Sequence, residues 1–185
     1  EQIRNIELEN HGKDILDQVD ADIEAGKIEK YTDEKLRELR VFKIFENNVH
    51  DNRMLYGAGD LGEVYAIALA QTIGAYFFGT DDTKQGGPYM SLMQFNDDIM
   101  PFTFADILIL RYLFENADAL KTVEDFDLIN KKNDLNWTFR NQMVKFIKRF
   151  WKDSYRQEDS KWMKELVIQK EIAVKTKFID LRKLI

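Results

Sequence analysis

The sequence predicts an α/β protein, with helices laid on a parallel sheet and a helical carboxyl-terminal extension. Three observations predict it. A helical stretch runs directly into a strand-like stretch over residues 14–32, and again over residues 61–80. Helix and strand in alternation mark a layered α/β sheet. From residue 115 onward the apolar residues keep helical spacing. The expected division is therefore an α/β domain over 1–114 and a helical extension over 115–185.

Each element has a local reason. Ile3, Ile6, Ile15, Leu16, Val19 and Ile23 recur at helical spacing, broken at Gly12, and Gly26 stops the second helix. Residues 27–32 alternate briefly, with Ile28, Tyr31 and Thr32, and read as a short strand. Asp33 reads as an N-cap, and Leu36, Leu39, Phe42 and Phe45 form the stripe of the next helix. Residues 47–59 read as a loop. Leu61 to Ile73 is a helix whose Ala66, Ala68 and Ala70 suit close packing on a sheet, and Gly74 ends it. The run "AYFFGT" reads as a short buried strand, followed by the loop "DDTKQGGP". A helix over residues 88–96, a strand in "IMPFTF" and an apolar helix from Ala105 to Phe114 come next. Met143, Phe146, Ile147, Phe150 and Trp151 then mark one helical stripe, and Trp162, Leu166 and Ile172 the last.

Composition narrows the function. The chain has 185 residues, the length of one domain with an appendage, and 44% apolar residues are enough for a core. No apolar run approaches the ~18 residues that span a bilayer, and no signal peptide is visible. A cytoplasmic setting and no membrane partner are expected. With no cysteine, disulfides and thiolate metal sites are excluded. With only His11 and His50, a metal would sit on carboxylates, which favours magnesium or manganese. Charge is uneven. Residues 137–185 hold 13 Lys+Arg against 6 Asp+Glu, and residues 1–136 hold the other 14 and 27. Such a basic tail binds nucleic acid, or docks on acidic protein surface, its own or a partner's. Within it, Lys145, Lys148, Arg149, Lys152 and Arg156 interleave with Phe146, Phe150, Trp151 and Tyr155. That pattern suits base stacking, and it equally suits an ordinary core stripe.

The acids of "GDLGEVYAIALAQTIGAYFFGTDD" carry the candidate chemistry. A helix of about 13 residues is ~20 Å long, and the strand after it runs back antiparallel. The helix start and the strand end therefore lie at one sheet edge. Glu63 and Asp81 or Asp82 meet there, with Asp60 close by in sequence. Converging carboxylates repel one another, and a divalent cation relieves that repulsion. The plain alternatives are a capping box from Asp60 and Glu63, and a polar turn at Asp81 and Asp82.

The same stretch resembles the core signature of PIN-domain nucleases, in the branch whose helix opens with Gly-Glu. The match runs through Glu63, then Ala66, Ile67, Ala68 and Ala70, then Thr80, Asp81 and Asp82. "IRNIEL" resembles the family's early helix, with Glu7 as its acid and Ile3 and Leu8 as neighbours. The resemblance covers about residues 1–110 and implies a PIN-like three-layer fold, a parallel sheet flanked by helices. That family's domain begins with a strand ending in Asp, which nothing upstream of Glu7 supplies. A missing amino-terminal piece is therefore expected.

The implied activity is metal-dependent phosphodiester hydrolysis of RNA. Glu7, Glu63 and Asp82 would be catalytic and would hold Mg2+ or Mn2+, with Asp81 nearby and Asp60 as a possible substitute. Thr80 would orient a ligand or water, or is an ordinary strand residue. The metal would activate a water for in-line attack and neutralise charge on the phosphate. The implied setting is a toxin–antitoxin or defence ribonuclease with an antitoxin or other protein partner; a homodimer is left open. The alternative is a non-catalytic PIN-like binding module that uses the helical extension to hold a protein partner. "GAGDLG" lacks the lysine of a phosphate-binding loop. Asp97-Asp98 reads as a turn, and Asp106 as a cap of the helix at Ile107.

Overall fold

The computed structural model describes residues 13–56, 61–96, 98–115, 117–152 and 156–185. They fall into two compact units, divided between residues 46 and 47.

The first unit holds α1 (Lys13–Glu24), α2 (Asp33–Glu38) and the start of α3 (Phe42–Tyr56). Thr32 caps α2, its side chain accepting from Lys35 N–H at 3.3 Å. The expected single stripe through Leu39 is broken. Arg40 adopts a positive φ of 60°, and Leu39 is left 51% exposed while Leu36 is buried.

In the second unit α3 continues to Tyr56, where a loop was expected. Its polar residues have partners on α4 (Leu61–Ile73): Asn48 Nδ2 donates to Thr72 Oγ1 at 3.0 Å and Asn52 Nδ2 to Gln71 Oε1 at 2.9 Å. Asn52 is buried by this pairing. α4 has the expected bounds, ending at Gly74 with φ 67°. Then come β1 (Phe77–Gly79), α5 (Pro88–Phe95), β2 (Met100–Phe102), α6 (Phe104–Phe114), α7 (Ala119–Lys132) and α8 (Phe139–Ile147). A π-helical turn over Lys148–Lys152 follows α8 directly. α9 (Gln157–Gln169) and α10 (Val174–Arg182) complete the unit.

The expected three-layer parallel sheet flanked by helices is corrected here. The described residues are mostly helical, and their one sheet has two strands, β1 and β2, paired in parallel with Phe77 opposite Met100. Residues 27–32 form no strand. A parallel strand is buried on both faces and needs a nearly continuous apolar run. Lys27, Glu29 and Lys30 deny it one, and Glu29 instead binds Lys35 and the Tyr31 hydroxyl. Beyond β2 the sheet is closed. Pro101 has no N–H, and its carbonyl accepts from Arg149 Nη1 at 2.6 Å. The Ile99 carbonyl accepts from Arg156 Nη1 at 2.9 Å. A buried guanidinium pair thus occupies the edge where a third strand would dock.

Both faces of the sheet carry packed rings, but β1 is not the buried strand expected: Phe77 remains 52% exposed where it borders an open groove with Phe114 and Leu166. One face carries Phe78 against Ile67, Ala70, Leu92 and Ile99. The other carries Phe77 and Phe102 against Trp162, with ring centroids 5.6 and 6.0 Å away. Phe102 begins a single core that runs through Ile109, Leu113, Phe126, Phe146, Phe150, Met163 and Leu181. The expected boundary at 114/115 runs through that core, so α7–α10 are built onto the strand region rather than appended to it.

Candidate functional site

The site is built where β1 leaves the sheet. Thr80 still donates its N–H to Phe102 O, 2.9 Å away, so the ladder fixes the strand end. Thr80 Oγ1 then accepts the Asp82 N–H at 3.2 Å, which turns the chain. Asp82 Oδ1 accepts the Lys84 N–H at 3.1 Å, and the Asp82 carbonyl accepts from Tyr89 N–H at 3.3 Å. Gly87 lies against that carboxylate. A Cβ at Gly87 would sit 2.7 Å from Asp82 Oδ1, closer than real side chains approach. Gly87 also caps α5, with Pro88 in the first helical position. Pro there gives up an N–H that would have had no helical partner.

Glu63 and Asp82 line one cleft of about 250 Å³ with Lys84, Gln85, Gly87, Pro88 and Ser91. The α4–β1 connection brings Glu63 and Asp82, 19 positions apart, to the wall of the same cleft. Asp81 turns elsewhere. Its Oδ1 accepts the Phe104 N–H at 2.8 Å, one of the unpaired donors at the start of α6. Burial pushes its carboxyl above the ordinary value, and the Phe104 bond works against that shift. Asp81 and Asp82 both border a second cleft with Asn133, Asp134, Leu135 and Trp137. Thr80 acts on the Asp82 backbone. Glu7 and Asp60 lie outside the described residues. Among the described residues, no group of three or more His, Cys, Asp or Glu side chains is arranged to hold a metal ion.

Behind the acids lies a buried ionic network that the sequence reading missed. Arg149 Nε donates to Asp159 Oδ2 at 2.8 Å, and Nη2 lies 2.6 Å from the same oxygen. Arg149 Nη1 also donates to the Tyr89 hydroxyl at 3.1 Å. Arg156 Nε stands 3.2 Å from Asp159 Oδ1. Asp159 is 0% exposed, and these two guanidinium groups are its ionic partners. Asp106 Oδ2 accepts the Thr103 N–H at 3.0 Å, and Thr103 Oγ1 accepts the Asp106 N–H at 3.2 Å, a capping box for α6. Burial raises the Asp106 carboxyl pKa, opposed first by the Thr103 N–H bond and then by the Arg149 guanidinium 4.0 Å away. Burial also pushes the Tyr89 hydroxyl up to about 12.

The same network reassigns the basic tail. Arg149 and Arg156 are buried and paired, and Phe146 and Phe150 are core residues. Lys145 stands 5.9 Å from the Trp137 ring centroid. Tyr155 lies outside the described residues. One local sign of the network was Arg149 inside an otherwise apolar stripe, and a second was acidic Asp159 ten residues on. No described helix is long and apolar enough to cross a membrane. No family model, curated protein or solved structure matches the chain.

Proposed function

We propose that the chain carries the acidic edge of a magnesium- or manganese-dependent phosphodiesterase that acts on RNA. The observation that supports this reading is the cleft lined by both Glu63 and Asp82, with the Lys84 cation on its rim. The donor set fits a hard divalent ion, which takes one or two carboxylates and leaves its other positions to water and phosphate oxygens. When bound, such an ion lowers the pKa of a coordinated water and offsets charge on the scissile phosphate. Glu63 and Asp82 would hold that ion. Thr80 and the Lys84 N–H fix Asp82, and Gly87 leaves its carboxylate room. Lys84 presents a cation to a phosphate entering the cleft. A cytoplasmic setting belongs to the same proposal.

The test is cleavage of a fluorescent single-stranded RNA oligonucleotide in manganese. Cleavage stopped by a chelator, by Glu63→Gln and by Asp82→Asn agrees with the proposal. No cleavage, or cleavage that both variants retain, overturns it and favours a non-catalytic module that holds a protein partner.

A further inference from the structure

The described surface carries a second charged feature, unrelated to the acidic cleft. Arg140 on α8, Lys148 and Lys152 on the π turn and Arg182 on α10 ring a groove of about 280 Å³. Its floor is apolar: Met143, Val144 and Ile147. The four cations are exposed, and none of them pairs with an Asp or Glu side chain among the described residues, although Arg140 Nη2 donates to the Ile185 oxygen at 3.3 Å. Asp180, the acid nearest in sequence to Arg182, is held by Lys183 at 2.8 Å. Val144 is 44% exposed although it lies on the groove floor. The floor has no aromatic ring on which a base would stack, and stacking rings are what single-stranded nucleic acid seeks. An apolar floor between cationic rims suits an acidic amphipathic helix.

The chain contains such a helix. α1, "KDILDQVDADIE", holds five carboxylates against one lysine. Leu16, Val19 and Ile23 share one face, and on a helical wheel Asp20 and Asp22 border that face on opposite sides. Val19 is 39% exposed, whereas Leu16, Asp20, Asp22 and Ile23 are half-buried, so the stripe has room for further cover rather than being bare. Asp22 pairs with Lys27 at 2.9 Å, an exposed contact of small worth that a groove cation replaces at little cost. We propose that α1 of a second copy lies in the groove between α8 and α10, its apolar stripe on Met143, Val144 and Ile147 and its acids on the four cations. Charge and apolar pattern agree in both partners, which is what fixes register in such a contact.

The test is sedimentation velocity of the full chain over a hundredfold range of concentration, in about 50 mM and about 500 mM salt. Self-association at low salt that weakens at high salt is expected. Lys148→Glu with Lys152→Glu weakens it by about tenfold or more, and so does Asp20→Lys with Asp22→Lys. Mixing the two doubly substituted chains restores association, because each supplies the charge the other lacks. That rescue separates a direct contact from misfolding. A monomer at every concentration, or association that the groove variant leaves unchanged, overturns the proposal. So does binding of a poly(U) oligonucleotide lost in the groove variant without any self-association, which would make the groove a nucleic-acid surface. RNA cleavage and manganese binding stand apart from this result, since none of the substituted residues lines the acidic cleft.

Discussion

Replacing Gly87 with alanine tests how the acidic cleft is held. Gly87 has φ −76° and ψ 168°, an extended backbone that alanine adopts freely, so the change acts through the added carbon alone. That carbon would stand 2.7 Å from Asp82 Oδ1 and 2.8 Å from Asp82 Cγ, and ordinary contact begins at 3.4 Å. The carboxylate must therefore move by about 0.7 Å. The Asp82 carbonyl, 3.1 Å from the same carbon, must also give a little. The shift stretches the bond from the Lys84 N–H, worth about 1 kcal/mol. With the contact strain, Gly87→Ala should cost about 1–3 kcal/mol in urea unfolding. Misplacing a ligand's support typically costs 10–100-fold in metal affinity, and manganese binding by titration calorimetry should weaken by about that factor. Gly86→Ala is the control. It strains a φ of 84° by about 1 kcal/mol but meets nothing within 4 Å, so manganese affinity should hold. Wild-type manganese affinity in Gly87→Ala would refute the reasoning.

Other perturbations have defined outcomes. Asp159→Ala leaves Arg149 and Arg156 buried without their shared carboxylate and should cost about 3–5 kcal/mol in urea unfolding. Phe126→Ala opens a cavity beneath the Phe104 and Phe139 rings, 5.2 and 4.8 Å away, and should cost about 3–5 kcal/mol by the same assay. Asp106 gives a pH signature. Its folded pKa is raised above the unfolded value, so the folded state binds more protons between the two. Its ionisation therefore erodes stability as pH rises from the unfolded value through the folded one. Asp106→Asn keeps an acceptor for the Thr103 N–H and should flatten the decline that begins just above pH 3.8, read by urea titrations across pH.

The parts of the fold legible in the sequence are those whose reasons are local. α4 follows from its alanine-rich apolar run and the glycine that ends it. β1 and β2 follow from short apolar runs between turn residues. That Glu63 and Asp82 line one cleft follows because the strand after a helix runs back along it. Long-range partners decided the rest. Residues 47–56 look like a polar loop, yet Asn48 and Asn52 find Thr72 and Gln71 on α4 and stay helical. Alternation at 27–32 suggested a strand, but too few apolar residues were there to be buried on two faces. The charges of Arg149, Arg156 and Asp159 read as surface until folding collects them at the edge of β2. That closure is also why the sheet stops at two strands on that side. The direction of Asp81 was hidden as well, because its partner is a backbone N–H 23 residues away.

The most direct measurement is calorimetric titration of manganese into the wild-type chain, Glu63→Gln and Asp82→Asn. If the two carboxylates share one ion, the wild type binds and both variants lose most of the heat, with unchanged unfolding curves. Equal heats in all three chains, or none in any, would contradict the account. The cleft would then be a capped helix facing a polar turn.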